Sequence, residues 1–232
     1  MGKKYEFTGE TKVVFGITLR QVRALVDFRF AAKGEIGGWI EDEKSLSQDD
    51  NAWVSGDAQV YGKARVSGNA RVSGDARVSG NARVSDNAQV AGNAQVSGYA
   101  QVSDNAWVSG NAQVYGNARV SGNARVSDNA QVSGYAQVSG KAQVSGNARV
   151  SGDADFMLVG PLGFRRSFLT VHADAHVGVR FSTGCFSGSE SEFSKAVEET
   201  HGESEWGRQY IIVIELSKLI VKAKEPGKTE TE

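Results

Sequence analysis

The chain has 232 residues and a formal net charge of −1, from 26 Lys+Arg against 27 Asp+Glu, so it offers neither the basic surface that binds nucleic acid nor the acidity of a DNA mimic. A single cysteine, Cys185, excludes an internal disulfide framework and permits a reducing compartment. No apolar run reaches the roughly 18 residues of a membrane span, and Met1–Phe7 lacks the apolar core of a signal peptide, so a cytoplasmic protein without a membrane contact is expected.

Residues 1–50 read as an N-terminal β cap and entry coil. Tyr5-Glu6-Phe7, Lys12–Phe15 and Leu19–Leu25 alternate as three short strands, with turns at Gly9-Glu10 and at Gly16. Ile40 and Leu46 fall on the same six-residue phase as Ala52, which predicts that they plug the first coil from alanine positions.

Residues 51–155 are a hexad repeat of the form A-x-V-S-G-N. Ala stands at every sixth position from Ala52 to Ala154, eighteen in all, and Val two places later from Val54 to Val150. A period of six is neither that of a helix nor that of a simple strand, and its persistence over some 100 residues signals a solenoid. In A-x-V the two small apolar side chains share one side of a short strand and x points outward, while S-G-N supplies the left-handed backbone of a corner. Three hexads close one triangular coil, so eighteen hexads give about six coils and a rod of about 29 Å. A six-residue deletion is therefore expected to move every later residue to another face and disturb the seating of whatever follows.

The pattern V-S-G-N-A-R resembles the hexapeptide signature of left-handed parallel β-helix proteins, and that resemblance implies the left hand. The segment L-R-Q-V…D-F…K-G…G-G-W-I-E-D…L-S-Q…A-W-V, over residues 19–54, resembles the entry region of uncharacterised β-helix proteins of the YdcK type, from which no activity carries over.

Every eighteenth outward residue falls on one face. The first column is Trp53, Arg71, Gln89, Trp107, Arg125, Gln143; the second is Gln59, Arg77, Gln95, Gln113, Gln131, Arg149; the third is Arg65, Arg83, Gln101, Arg119, Gln137, Asp155. The first repeats Trp-Arg-Gln after 54 residues, three whole coils, which points to an internal duplication. Two readings stand for that face. The long stems of Arg and Gln cover the Val/Ala wall as a solvated surface, or Trp53, Arg71, Trp107 and Arg125 form a flat face for self-association or a ligand.

Residues 156–224 read as a small α/β module. Phe156–Val159 replaces the lean hexad, Gly160–Gly163 turns the chain, and Ser167–His172 with Val177–Phe181 form a hairpin. A tight loop follows at Gly184–Gly188, then a helix from Glu192 to Glu199 capped by Ser189 or Ser191, and a second from Glu205 to Lys224. Residues 225–232 are expected to be disordered. The G-P-x-G of Gly160, Pro161 and Gly163, the G-C-F-x-G of Gly184, Cys185, Phe186 and Gly188, then Glu192-Phe193, His201-Gly202 and Tyr210 resemble a C-terminal module of uncharacterised phage proteins. The resemblance implies a viral or prophage origin rather than a chemistry.

An acyltransferase of the hexapeptide kind needs a histidine base on the coil, and all three histidines, His172, His176 and His201, lie beyond the rod. Cys185 with His201 or His172, oriented by Glu192 or Glu199, is the one nucleophilic candidate, set against a structural cysteine in a turn. No spacing indicates a metal or a cofactor. The sequence thus predicts a mainly β, non-enzymatic protein: a rigid rod that self-associates, its resemblance to hexapeptide rods implying a trimer, and presents a C-terminal recognition module to a protein or small-molecule partner. Its candidate binding residues are Trp53, Arg71, Trp107, Arg125, Cys185, His201 and Tyr210. The alternative is a counter-defence protein that captures a host protein or a nucleotide.

Overall fold

The computed structural model describes residues 2–152, 155–174 and 176–221. Ala154, the last alanine of the repeat, the end of the second helix as expected to Lys224, and the tail expected at 225–232 lie outside these.

The hexads build a parallel β-solenoid of about six turns. After β1 (Tyr5–Val14), β2 (Ile17–Ala24) and β3 (Ile36–Ile40), seventeen two-residue strands run from β4 (Trp53–Val54) to β20 (Arg149–Val150), one per hexad. Each pairs with the strand eighteen residues on, as Arg71 does with Gln89, so every third strand stacks and three flat faces result. The columns read from the sequence are these faces, except that the third ends at Gln137: Asp155 turns back to accept from Ser151 and Gly152 N–H at the end of the rod.

Inside, every described Ala of the repeat and every Val is at most 1 % exposed. The corners stack as tightly: Gly56 has φ +64°, and a Cβ there would stand 3.3 Å from the backbone of Gly74 in the next coil. Asp86, Asp104 and Asp128 take the same corner position at φ 58–59°, a conformation that Asp tolerates better than most residues. Asn side chains one coil apart form ladders along the corners, as Asn51 Nδ2 to Asn69 Oδ1 at 2.8 Å and Asn69 Nδ2 to Asn87 Oδ1 at 3.2 Å. With no slack in this stack, Ala106→Leu is expected to lower unfolding free energy by about 1–3 kcal/mol through overpacking, whereas Gln113→Leu on the outer wall should change it little. Urea unfolding of both variants checks this, and a tolerated Ala106→Leu would contradict the inward assignment.

Hydrogen bonds between coils have a direction. In hexad after hexad the N–H groups of the outward residue, the residue after Val and the residue before Ala donate to carbonyls of the next coil: Arg71 to Ala88, Ser73 to Val90, Asp75 to Gly92, each at 2.9 Å. The first coil therefore ends in spare carbonyls and the last in spare N–H groups, and the two caps answer in kind. At the N-terminal end Lys4 Nζ donates to the carbonyls of Asp50 and Ala52, both at 2.8 Å, and Tyr5 Oη to that of Leu46 at 2.8 Å. Burial pulls the Lys4 ammonium down to about 8, against the opposing pull of Asp50 and Asp49. At the other end acceptors take over: Thr170 Oγ1 accepts from Gln143 N at 2.8 Å, Asp174 Oδ2 from Asn147 N at 3.3 Å, and Asp155 Oδ2 from Ser151 N at 2.6 Å.

Two expectations for the N-terminal cap need correction. Gly9-Glu10 is not a turn; Tyr5–Val14 is one strand with a bulge between Phe7 and Thr11, where Gly9 sits at φ +99°. Ile40 and Leu46 do plug the first coil, but they pair with Val60 and Val66, twenty residues on rather than eighteen. They occupy valine positions, because the corner between Leu46 and Val54 carries two extra residues. That longer corner is where the cap clamps: Gln48 Oε1 accepts from Lys4 N at 2.9 Å and Asp50 Oδ2 from Gly68 N at 2.6 Å.

The C-terminal module is a four-stranded antiparallel sheet with two helices: β21 (Phe156–Leu162), β22 (Ser167–Asp174), β23 (Gly178–Thr183), β24 (Phe186–Ser189), α1 (Glu190–His201) and α2 (Glu205–Ile220). The loop expected at Gly184–Gly188 is mostly the fourth strand, and Gly160-Pro161 lies within β21 rather than in a turn. β22 alternates strictly: Leu169, Val171 and Ala173 pack into the helices' core with Phe181 and Phe193, while Thr170, His172 and Asp174, each at most 1 % exposed, are buried on the rod side. Phe156 and Leu158 pack against the rod's own core. The module is thus the lid of the rod.

Candidate functional site

The first face does not present two aligned indoles. Trp53 is 2 % exposed: the loop between β2 and β3 folds over it and sets Phe28 edge-on at 5.2 Å between ring centroids. It is a packing residue of the cap, and its place as a binding residue is withdrawn. The repeat predicted its position but not its cover, because the covering residues belong to a segment without periodicity.

The same loop builds something on the exposed part of that face. Phe28 and Ala31 exchange backbone hydrogen bonds at 3.0 and 3.3 Å, and Asp27 Oδ1 accepts from Lys33 N at 2.8 Å, so the loop is a tight, pinned turn. It projects Phe30 between two guanidinium groups, with Arg29 at 5.2 Å and Arg71 at 4.9 Å from the ring centroid. Two adjoining grooves of about 460 and 530 Å³ meet at Arg29, Phe30 and Arg71. The larger continues down the rod past Asn69, Asn87, Gln89 and Asn105. Beyond it stands Trp107, 42 % exposed, with Arg125 at 5.6 Å from its ring. Arg71, Trp107 and Arg125 therefore do share an open surface; Phe30 and Arg29 are the members the sequence reading missed.

The module scatters its candidates. His201 stacks on Tyr210 at 5.4 Å, and Tyr210 also meets Phe193 edge-on at 5.7 Å. Tyr210 is 8 % exposed, and burial raises its pKa. Its hydroxyl lies where a Cβ on Gly163 would come within 2.7 Å, so the glycine of the G-P-x-G segment makes room for it. Those motif residues are thereby explained by packing. Cys185 is exposed in the turn before β24, and among the described residues no hydrogen bond joins it to a histidine. Glu192, considered as an orienting carboxylate, closes the capping box of α1, accepting from Ser189 N at 2.7 Å, and that bond holds its carboxyl below the usual range. No group of three His, Cys, Asp or Glu among the described residues is placed to hold a metal ion.

Three other features remain, His172 among them, which the sequence offered only as a partner for Cys185. Tyr99, Tyr115 and Tyr135 are exposed around one corner of the rod. The rod-side His172 is wholly buried, its Nδ1 3.2 Å from the Ala173 carbonyl and its Nε2 without a partner. Burial pushes its pKa down to about 4. Finally, α2 buries Tyr210, Val213, Ile214 and Ser217 and leaves Ile211, Ile212, Leu216, Leu219 and Ile220 exposed, Leu219 at 84 %. An amphipathic pattern alone could have found the buried side, but not how much of the opposite side is apolar as well.

Comparison with known families matches residues 64–80, 76–92, 100–116, 112–127, 124–140 and 142–154 to the YdcK β-solenoid repeat. Every matched segment begins on a core alanine of the rod, from Ala64 to Ala142, and all lie beyond the segment 19–54 on which the resemblance was first drawn. No curated protein matches the chain. No helix among the described residues is long and apolar enough to cross a membrane.

Proposed function

We propose that this is a non-enzymatic binding protein of phage or prophage type, acting in the cytoplasm, in which a rigid solenoid holds a C-terminal recognition module and self-associates through it. The observation that carries this reading is the uncovered apolar stripe on α2, set on a module fixed to the rod by hydrogen bonds and shared core. The stripe is offered to a second copy of the chain. In an antiparallel two-fold pairing centred between Leu216 and Ser217, Glu215 of one copy lies opposite Lys218 of the other on either side of the centre, so that the pair each makes within its own chain, at 2.9 Å, can be shared with the partner copy. Leu216 lies at the centre, and Leu219 and Ile212 extend the apolar contact to either side. With Trp53 buried, this surface replaces the tryptophan column as the self-association contact.

Ile212→Glu combined with Leu219→Glu should bring the mass in light scattering to that of one 24.7 kDa chain, with circular dichroism unchanged. A wild-type chain that is already monomeric at high concentration, or a double variant that keeps the wild-type mass, would remove this contact.

A further inference from the structure

We propose that the groove under the entry loop is a binding site for a mononucleotide-class ligand, a phosphate joined through a hydroxylated body to a planar ring. The inference goes beyond the self-association reading and uses a different part of the molecule.

The phosphate end is set by Arg29 and Arg71. Both guanidinium groups converge on Phe30, and neither makes an ion pair among the described residues. The acidic side chains nearest the loop are engaged elsewhere: Asp27 Oδ1 accepts from Lys33 N at 2.8 Å and Glu35 Oε2 from Ala32 N at 3.1 Å. Two like charges held together on a nearly neutral protein favour an anion, and the planar fork of Arg matches phosphate oxygens in pairs.

The body of the ligand follows the corner ladder. Asn69, Asn87 and Asn105 stand in the corners just before Arg71, Gln89 and Trp107, and they line the groove together with Arg71 and Gln89. Asn69 and Asn87 each spend one amide hydrogen and one oxygen lone pair on the ladder, which leaves a donor and an acceptor on each for hydroxyl groups.

The ring end is Trp107. It lies two coils from Arg71, about 10 Å at inter-strand spacing, and is the one indole of the face open to a stacking partner. Phosphate, polyol and ring subsites therefore come in one line, in the order and over the span of a nucleoside monophosphate.

Calorimetry with adenosine 5′-monophosphate, inorganic phosphate and adenosine, each titrated into the full chain at low salt, tests the assignment. The monophosphate is expected to bind at least about tenfold more tightly than either fragment. Arg71→Glu should abolish binding of both phosphate-bearing probes, and Trp107→Ala should lower the monophosphate to the level of inorganic phosphate without affecting the latter. Arg83→Glu, the same charge change on another face, should bind as wild type. The proposal is overturned if the monophosphate gives no heat, if Arg83→Glu loses as much as Arg71→Glu, or if Trp107→Ala leaves the preference over inorganic phosphate intact. Arg71→Glu should keep the wild-type mass in light scattering, so failure here is separable from failure of the α2 contact.

Discussion

Deleting three residues from the middle of the rod, Ser85–Asn87, is expected to be far more damaging than deleting six or eighteen. Ser85–Asn87 form one corner; without it, Val84 runs straight into Ala88 and the coil cannot close. The interface between that coil and the next is held by nine N–H to carbonyl bonds of the directional kind, from Arg71→Ala88 to Asn87→Asp104. At about 1 kcal/mol net for each, losing the interface forfeits on the order of 10 kcal/mol, comparable with the whole stability of a domain. Deleting Ala82–Asn87 removes a complete hexad and only shortens the rod by a third of a coil. The seating of the C-terminal module should survive it, contrary to the expectation from phase alone, because the module is held by Gln143 and Asn147, residues of the last coil that travel with it. What changes is the angle between the two caps and the alignment of the faces. Thermal unfolding by circular dichroism should show the three-residue deletion unfolded or melting in two parts, with the six- and eighteen-residue deletions close to wild type. Equal losses from three and six residues would mean that the corner is not the closing element.

The second large effect is acid sensitivity at the lid. His172 is buried on the rod side of β22, facing Asp174 on its own strand and Arg180 on β23, with Asp174 and Arg180 paired at 2.7 Å. Burial is the main cause of its low pKa; the carboxylate of Asp174 and the Ala173 carbonyl oppose it, and Arg180 adds to it. The folded-state value of about 4 lies below the ordinary 6.5, so the unfolded chain takes up a proton first. Stability is whole above pH 6.5 and falls as pH drops towards 4, by roughly 3 kcal/mol at most. The carboxyl of Asp174, held low by Arg180 and two backbone N–H groups despite its burial, yields its own contribution only at lower pH. Denaturant unfolding at pH 7 and pH 4.5 should show a loss in wild type that His172→Leu largely removes. If the variant loses as much as wild type, the histidine is not the titrating group.

Much of the rod was legible because each hexad states its own geometry: Ala and Val inward, Gly or Asp at the corner, Arg or Gln outside. What it did not state is where the pattern meets something else. Ile40 and Leu46 kept the alanine phase in sequence yet stand at valine positions, since two residues added after Leu46 restore a beat that the coil itself does not follow. Trp53 obeys the column rule and is buried all the same, under Phe28 from an aperiodic loop. In the module, strand alternation in Ser167–His172 was readable, but not that its polar side would be buried as well, because that depends on the spare N–H groups of the rod's last coil.

Those directional bonds also set how long the molecule can be. One bare end would be all acceptors where the other is donors, so two uncapped rods could join only head to tail, and each joining would leave the same pair of ends exposed. Growth of that kind never closes on itself; it yields a filament with a fixed polarity. Lys4 and Tyr5 at one end, Thr170 and Asp174 at the other, are what make the number of coils finite.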